Sequence, residues 1–261
     1  MGFKEYERNM SFLDLELSKT LGSSRTQKFL REIHDYVRWE PIDRILMDVY
    51  PVGKAAVGNS AYPPVMLLKA LLLQKWFGIR SDPELENQIN DRLSFKMFIG
   101  LPFGDPSPDH SVISRFRDRV GAKAMERIHA ELLAQLQVKG YSIDAGLAVD
   151  ARLVRSASSP LSKDKLEKIN QQRQQEKKDG KDKPVKFSRD VESDWTVKNG
   201  DPVYGMKEHA SIDVRSGLVL TTVLSRASEH DTGYFQYVVI KSMHTRRMLP
   251  VVYADKGYHG Q

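Results

Sequence analysis

The sequence predicts a mixed α/β protein in two parts, a helical domain over residues 1–140 and an α/β domain over 141–261. Three observations carry this reading. Apolar residues recur at helical spacing from Phe29 to Leu136. At Tyr141 the pattern turns strand-like. Beyond it two short apolar runs, Leu147–Ser156 and Pro250–Tyr258, each carry one acid, Asp150 and Asp255. An acid inside such a run is expected to be buried, at a cost of several kcal/mol unless a partner neutralises it. Two strand-borne aspartates are what a hard divalent cation needs, because it takes oxygen ligands held on stiff backbone.

The helical part begins with a lead-in and short helices. Phe29, Leu30, Ile33 and Val37 share one helical stripe; Ile42, Ile45, Leu46 and Val49 share another after Pro41. Pro63-Pro64 opens a helix over Val65–Phe77 that is apolar nearly all round and therefore buried, and Gly78 stops it. Ser81-Asp-Pro-Glu84 has capping-box spacing and leads into Leu85, Ile89 and Leu93. After a Pro/Gly-rich loop over Gly100–Asp109, Asp109 or Ser111 caps a helix with Ile113, Phe116 and Val120 inward. Arg115 and Arg119 lie four apart on another face of it, with Arg117 close by and Lys123 one turn further on. Gly121 breaks that helix. A longer one follows, with Met125, Ile128, Leu132 and Leu136 inward and Gly140 at its end. A short helix, a break and an arginine-bearing helix suggest a helix-turn-helix-like DNA reader centred on Arg115, Arg117, Arg119 and Lys123. The same arginines would equally suit the solvated face of a core helix.

In the second part the Asp150 strand is followed by an insertion at about 157–189. It is rich in Ser, Gln and mixed charge, has helical tendency over Lys163–Lys178, and is expected to be mobile. Strand-like runs resume near Asp190 and continue through Val203–Asp213 and Leu218–Ala227, joined by the turn Val214–Gly217. An amphipathic helix with Tyr234, Tyr237, Val238 and Met243 then leads to the Asp255 strand. Lys207 and Lys256 are candidates for phosphate contact, or simply strand-edge and turn lysines. Tyr204, His209 and Tyr258 could meet DNA near a cut or pack inside.

Composition narrows the classes. There is no cysteine, which removes disulfides, thiolate metal sites and cysteine nucleophiles together. Val65–Leu73, the most apolar run, is interrupted by Lys69 and far too short to cross a bilayer, so the expectation is a cytoplasmic chain with no membrane partner. The net charge of +6 favours a polyanion. Much of that excess is local, since residues 161–190 hold ten Lys/Arg against six Asp/Glu.

Several linked motifs, in order, resemble bacterial insertion-sequence transposases of the IS-five kind. They are V-D-A-R-L-V at 149–154, D-W-T-V-K at 194–198, Y-G-M-K-E-H at 204–209, S-R-A-S-E-H-D at 225–231 and Y-A-D-K-G-Y at 253–258. P-D-H-S-V-I-S-R-F-R at 108–117 resembles the same family's N-terminal domain. The resemblance implies a ribonuclease-H-like catalytic core, and cutting and joining of double-stranded DNA at terminal inverted repeats by a homo-oligomer bound near the nucleoid. It also implies Mg²⁺, for which Mn²⁺ substitutes, with Asp150 bridging two ions and Asp255 binding one. The family's third ligand is a Glu on a helix well beyond the second Asp. No Glu follows Glu229 here, so the core is expected to lack its last strand and helices, to cut poorly and to self-associate. The alternatives are a DNA-binding regulator without catalysis and a metal-dependent nuclease of the same fold.

Overall fold

The computed structural model describes residues 2–4, 16, 19, 24–53, 60–141, 143, 145–156, 162–178, 190, 192–243, 251–255 and 258. The backbone divides into two compact units, Met1–Lys139 and Gly140–Gln261.

The first unit is built from helices α1 (Arg25–Tyr36), α2 (Trp39–Val49), α3 (Pro64–Trp76), α4 (Asp82–Asp91), α5 (Leu93–Ile99) and α6 (His110–Val138). Their starts follow local chemistry. Ser24 and Ser81 each accept a backbone N–H three residues on, from Gln27 and Glu84, and Asp109 accepts from Ser111. The all-round apolar α3 is the spine of the core. Leu67, Ala70 and Leu73 are wholly buried among Leu46, Leu85, Ile89, Phe95, Ile113 and Phe116 of the other helices. Gly78 and Gly100 adopt positive φ at helix ends, where glycine carries no steric penalty.

Two charged groups enter this core with partners. Lys96 donates to the carbonyls of Phe103 and Asp105, both at 2.8 Å, and so shapes the loop before α6. Lys69 is 6 % exposed, lies 3.1 Å from His34 Nδ1 and sits over the Trp39 ring. Burial draws its pKa down to about 8.

Two sequence expectations change here. Gly121 does break α6, with φ 65 and ψ 177, yet the buried stripe of Ile113, Phe116 and Val120 runs on past it to Ala124 and Ile128. Leu133 is buried as well, while Met125, one position off that stripe, stands exposed. In addition, α6 follows α5 after the long loop 100–109, not the three- or four-residue turn of a helix-turn-helix.

The second unit holds β1 (Leu147–Arg155), α7 (Lys163–Lys178), β2 (Asp194–Lys198), β3 (Asp201–Asp213), β4 (Val219–Arg226), α8 (Thr232–Met243) and β5 (Val252–Ala254). The sheet is mixed: β1 is antiparallel to β3 and parallel to β5, and β2 and β4 both pair antiparallel with β3. The Ser228 hydroxyl donates to Asp194 at 2.7 Å, where the end of β4 meets the start of β2 on the edge of β3 away from β1. The turn 214–217 is closed by the Asp213 carboxylate. Burial alone would raise its pKa, but hydrogen bonds from Ser216, Ala145 and Arg215 hold it below the usual range. Of the expected mobile insertion, 157–161 and 179–189 lie outside the described residues, and α7 lies within it. Asp190 brings the insertion's two ends together by accepting from Ser156 at 2.8 Å, while its own carbonyl accepts from the Tyr204 hydroxyl. Among the described residues no helix is long and apolar enough to cross a membrane.

Candidate active site

Strand alternation decides which side chains of β1 meet the core. Leu147 and Val149 are buried, on the same face as their β3 partners Asp213 and Ser211. The Ser211 hydroxyl lies 2.7 Å from that of Ser242, which shows that α8 covers this face. Asp150 is the alternate residue and points the other way. It is exposed, and one of its oxygens accepts from the Ala151 N–H at 2.8 Å. The expectation of a buried acid is therefore corrected: the apolar neighbours of Asp150 supply the covered face, and the acid occupies the open one.

The parallel register of β1 and β5 pairs Leu147 with Val252, Ala148 with Tyr253 and Val149 with Ala254. Continued one residue past its last pair, the same register brings Asp255, just beyond the end of β5, opposite Asp150, the fourth of the nine residues of β1. Asp255 is also exposed. The Tyr258 ring supports this juxtaposition. It is buried against Phe235, and its hydroxyl has no hydrogen-bond partner among the described residues. Burial raises its pKa first, and the charges of Asp231, Asp150 and Asp255 raise it further. Tyr258 is thus buried and does not present its ring to solvent, with both acids close enough for their charges to act on it.

Residues 141–261 match the family model described as Transposase DDE domain, and residues 19–119 match the Transposase domain (DUF772). The chain carries the domains of a DDE transposase. No solved structure matches it significantly. The mixed sheet, with its second acid just past a strand parallel to the first, is consistent with the ribonuclease-H-like core of a DDE domain.

DDE transposases work with divalent metal ions, and two adjacent carboxylates open to water fit one, since both donors are hard oxygens and water can fill the remaining positions. Among the described residues no third acid or histidine closes a ligand triad with this pair. Glu86, Asp109 and His110 do cluster, but in the helical unit, where helix capping explains them. Asp109 caps α6, and one Glu86 oxygen accepts from the His110 backbone at 2.9 Å while lying 2.8 Å from its Nδ1.

The transposase's lysines and arginines separate by partner. Lys207 is largely buried, with its ammonium 2.7 Å from Asp231 and donating to the Glu229 carbonyl. Its charge is committed inside the unit, away from the phosphate contact that its strand position suggested. Lys256 lies outside the described residues. His209 is fully buried, stacked on Tyr234 at 4.7 Å and 2.9 Å from the Ser225 hydroxyl, so it lies beneath the surface where DNA could reach it. In the helical unit Arg117 is bound to Asp82 through both guanidinium ends, at 2.6 and 3.1 Å, and to Gln74 at 3.0 Å. Arg115 donates to Ser111 at 3.0 Å and is otherwise exposed; Arg119 and Lys123 are exposed. Sequence reasoning missed Asp231 and Asp82. Both are acids paired with distant cations, and the sequence marks each only as standing at a helix start, Asp82 after Ser81 and Asp231 before Thr232.

Proposed function

We propose that this transposase cuts DNA at the ends of a bacterial insertion sequence of the IS-five kind and joins it to a target, acting on the nucleoid as a homo-oligomer. The observation that supports the catalytic part is the parallel register of β1 and β5, which continued one residue past Ala254 would bring Asp255 opposite the exposed Asp150. The two carboxylates would hold Mg²⁺, or Mn²⁺ in its place. When bound, the metal supplies Lewis-acid activation of a water or 3′-hydroxyl and stabilisation of the oxygen that leaves phosphorus. The chain's own part is to hold both acids on backbone fixed by the sheet. The open face would admit a phosphodiester, while Tyr258 stays buried against Phe235.

The test is an end-cleavage assay on duplex DNA carrying the element's terminal repeats, with Mg²⁺ or Mn²⁺. The wild-type chain is compared with Asp150→Asn and Asp255→Asn, substitutions that keep side-chain size and remove the charge. Cleavage is expected to fall at least about 100-fold in each variant, the scale seen when a group stabilising transition-state charge is removed. Cleavage at the wild-type rate in Asp150→Asn would overturn the assignment. The same assay reads whether the two acids suffice.

A further inference from the structure

The helical unit contains an open cleft of about 790 Å³ that unites residues from its two ends in sequence. Lys4 and Tyr62 form one wall, Tyr50 and Ser60 contribute to the lining, and Arg115 and Arg119 of α6 form the other wall. None of the described residues that line it is acidic. Lys4 is not there by accident of a loose terminus. Phe3 bridges to Ala61 in parallel, the Lys4 N–H donates to the Ala61 carbonyl at 2.6 Å, and the Lys4 ammonium lies 3.8 Å over the Tyr62 ring. The Phe3 ring fills the space beside Gly53, whose φ of +86 and lack of a Cβ are both needed, since an added Cβ would lie 2.9 Å from that ring. Arg115 and Arg119 stand one helical turn apart, about 6 Å at Cβ. Arg119 makes no hydrogen bond or ion pair among the described residues, and Arg115 spends one donor on the neutral Ser111 hydroxyl.

We propose that this cleft binds the sugar–phosphate backbone of double-stranded DNA, with Lys4, Arg115 and Arg119 each neutralising a phosphate. The proposal rests on the reading that the protein handles DNA, and it names where the helical unit holds it. Three cations in a cleft whose described lining holds no carboxylate are poised for a polyanion, although Asp109 at the start of α6 acts on Arg115 from outside that lining, and a single phosphate would leave a cleft of this volume largely empty. Guanidinium and ammonium groups at this spacing grip phosphate without reading base edges, so the contact fixes position and leaves sequence recognition to other residues. Arg117, although it lies between the two arginines in sequence, is excluded because Asp82 holds it.

The experiment measures affinity of the full chain for a fluorescent 30-base-pair duplex of arbitrary sequence across a salt series. Each phosphate contact contributes about 0.9 to the slope of log affinity against log salt. Lys4→Ala/Arg119→Ala is therefore expected to flatten the slope by about 1.8, and Arg119→Glu to weaken binding further at low salt. Arg119 is exposed and Lys4 half-buried at the cleft wall, so these changes leave the core intact, as far-UV circular dichroism would verify. A control with the same charge loss on α1, Lys28→Ala/Arg31→Ala, is expected to keep the wild-type slope. If wild type binds and the cleft variant keeps its slope, the cleft is not the site and the DNA-handling reading stands. Equal flattening by the α1 control would likewise overturn the cleft, leaving diffuse charge. If the wild-type chain fails to bind duplex DNA at any salt, both readings fall together.

Discussion

Replacing Arg117 with alanine should destabilise the helical unit, although a helix-face pattern alone would make this arginine a solvated cation. Its guanidinium makes two hydrogen bonds to the Asp82 carboxylate and one to the Gln74 side-chain oxygen. Asp82 is 17 % exposed and Arg117 44 %, so the pair is neither buried nor fully screened. Hydrogen bonds to charged groups contribute about 1.5–3 kcal/mol each, and exposed ion pairs about 0–1. Discounting for the half-exposed arginine, and adding the loss at a buried Gln74 oxygen left without its donor, gives roughly 2 kcal/mol. For a cooperative unit of this size that is a Tm lower by about 6–8 °C. The sign with pH follows from Asp82, whose pKa is lowered chiefly by the hydrogen bond from Arg117. A depressed carboxylate contributes stability above its unfolded value of about 3.9 and loses it as pH falls through the folded value. The gap between wild type and Arg117→Ala should be constant at neutral pH and close below about pH 4. The assay is thermal unfolding by tryptophan fluorescence in a Trp195→Phe background, where the remaining tryptophans, Trp39 and Trp76, both lie in the helical unit. Equal melting temperatures, or a gap unchanged down to pH 3, would refute the reasoning and return Arg117 to the pool of cations open to phosphate.

Two further predictions concern the second unit, both read from Trp195 fluorescence during urea unfolding. Gly205 lies where β1, β2 and β3 meet, and a Cβ there would come 2.1 Å from the Val154 carbonyl oxygen, a backbone atom that cannot turn aside; Gly205→Ala should cost about 3 kcal/mol or more, whereas Gly233→Ala, with nothing within 4 Å, should cost little. A Gly205→Ala midpoint equal to wild type would contradict this packing. Burial holds the His209 pKa below its ordinary 6.5; the unfolded chain therefore takes up the proton more readily, and stability should fall as pH drops below about 6.5. His209→Phe should remove that slope between pH 6.5 and 5, and a slope retained in the variant would assign it to another group.

Much of the secondary structure was legible because it depends on neighbours in sequence. Ser81, Gly78 and Gly121 mark ends and breaks through their own backbone and cap chemistry, and Lys163–Lys178 is helical as its composition suggested. What periodicity could not supply is long-range pairing. Arg117 and Asp82 are 35 positions apart, and nothing in the spacing of three arginines tells which of them a distant acid will claim. Lys4 reads as a leader residue, and it lines a cleft only because its backbone bonds to Ala61. Met125 was placed inward with Ile128, Leu132 and Leu136 of a separate helix after Gly121, whereas the stripe before the break runs on to Ala124 and leaves Met125 exposed. Alternation along β1 likewise separates two faces without saying which of them a helix covers, so the exposure of Asp150 was out of reach.

That exposure also explains how the acid pair is kept in place. In a parallel pair, a slip of one residue moves every side chain to the opposite face. Were β1 to shift by one against its neighbours, Ala148 and Asp150 would turn toward α8, and Leu147 and Val149 would turn to water. Losing burial of those two side chains costs about 3–5 kcal/mol before the price of a buried carboxylate is added. The register is thus held by apolar residues that perform no chemistry, reinforced by the Leu147 N–H donating to the Val251 carbonyl at 2.9 Å and the Val214 N–H to Gly146 at 3.1 Å. The core beneath the sheet thus fixes the strand that carries Asp150 and the strand that leads into Asp255. It follows that substitutions at Leu147 or Val149, neither of which can touch DNA or metal, act on the acid pair through the register.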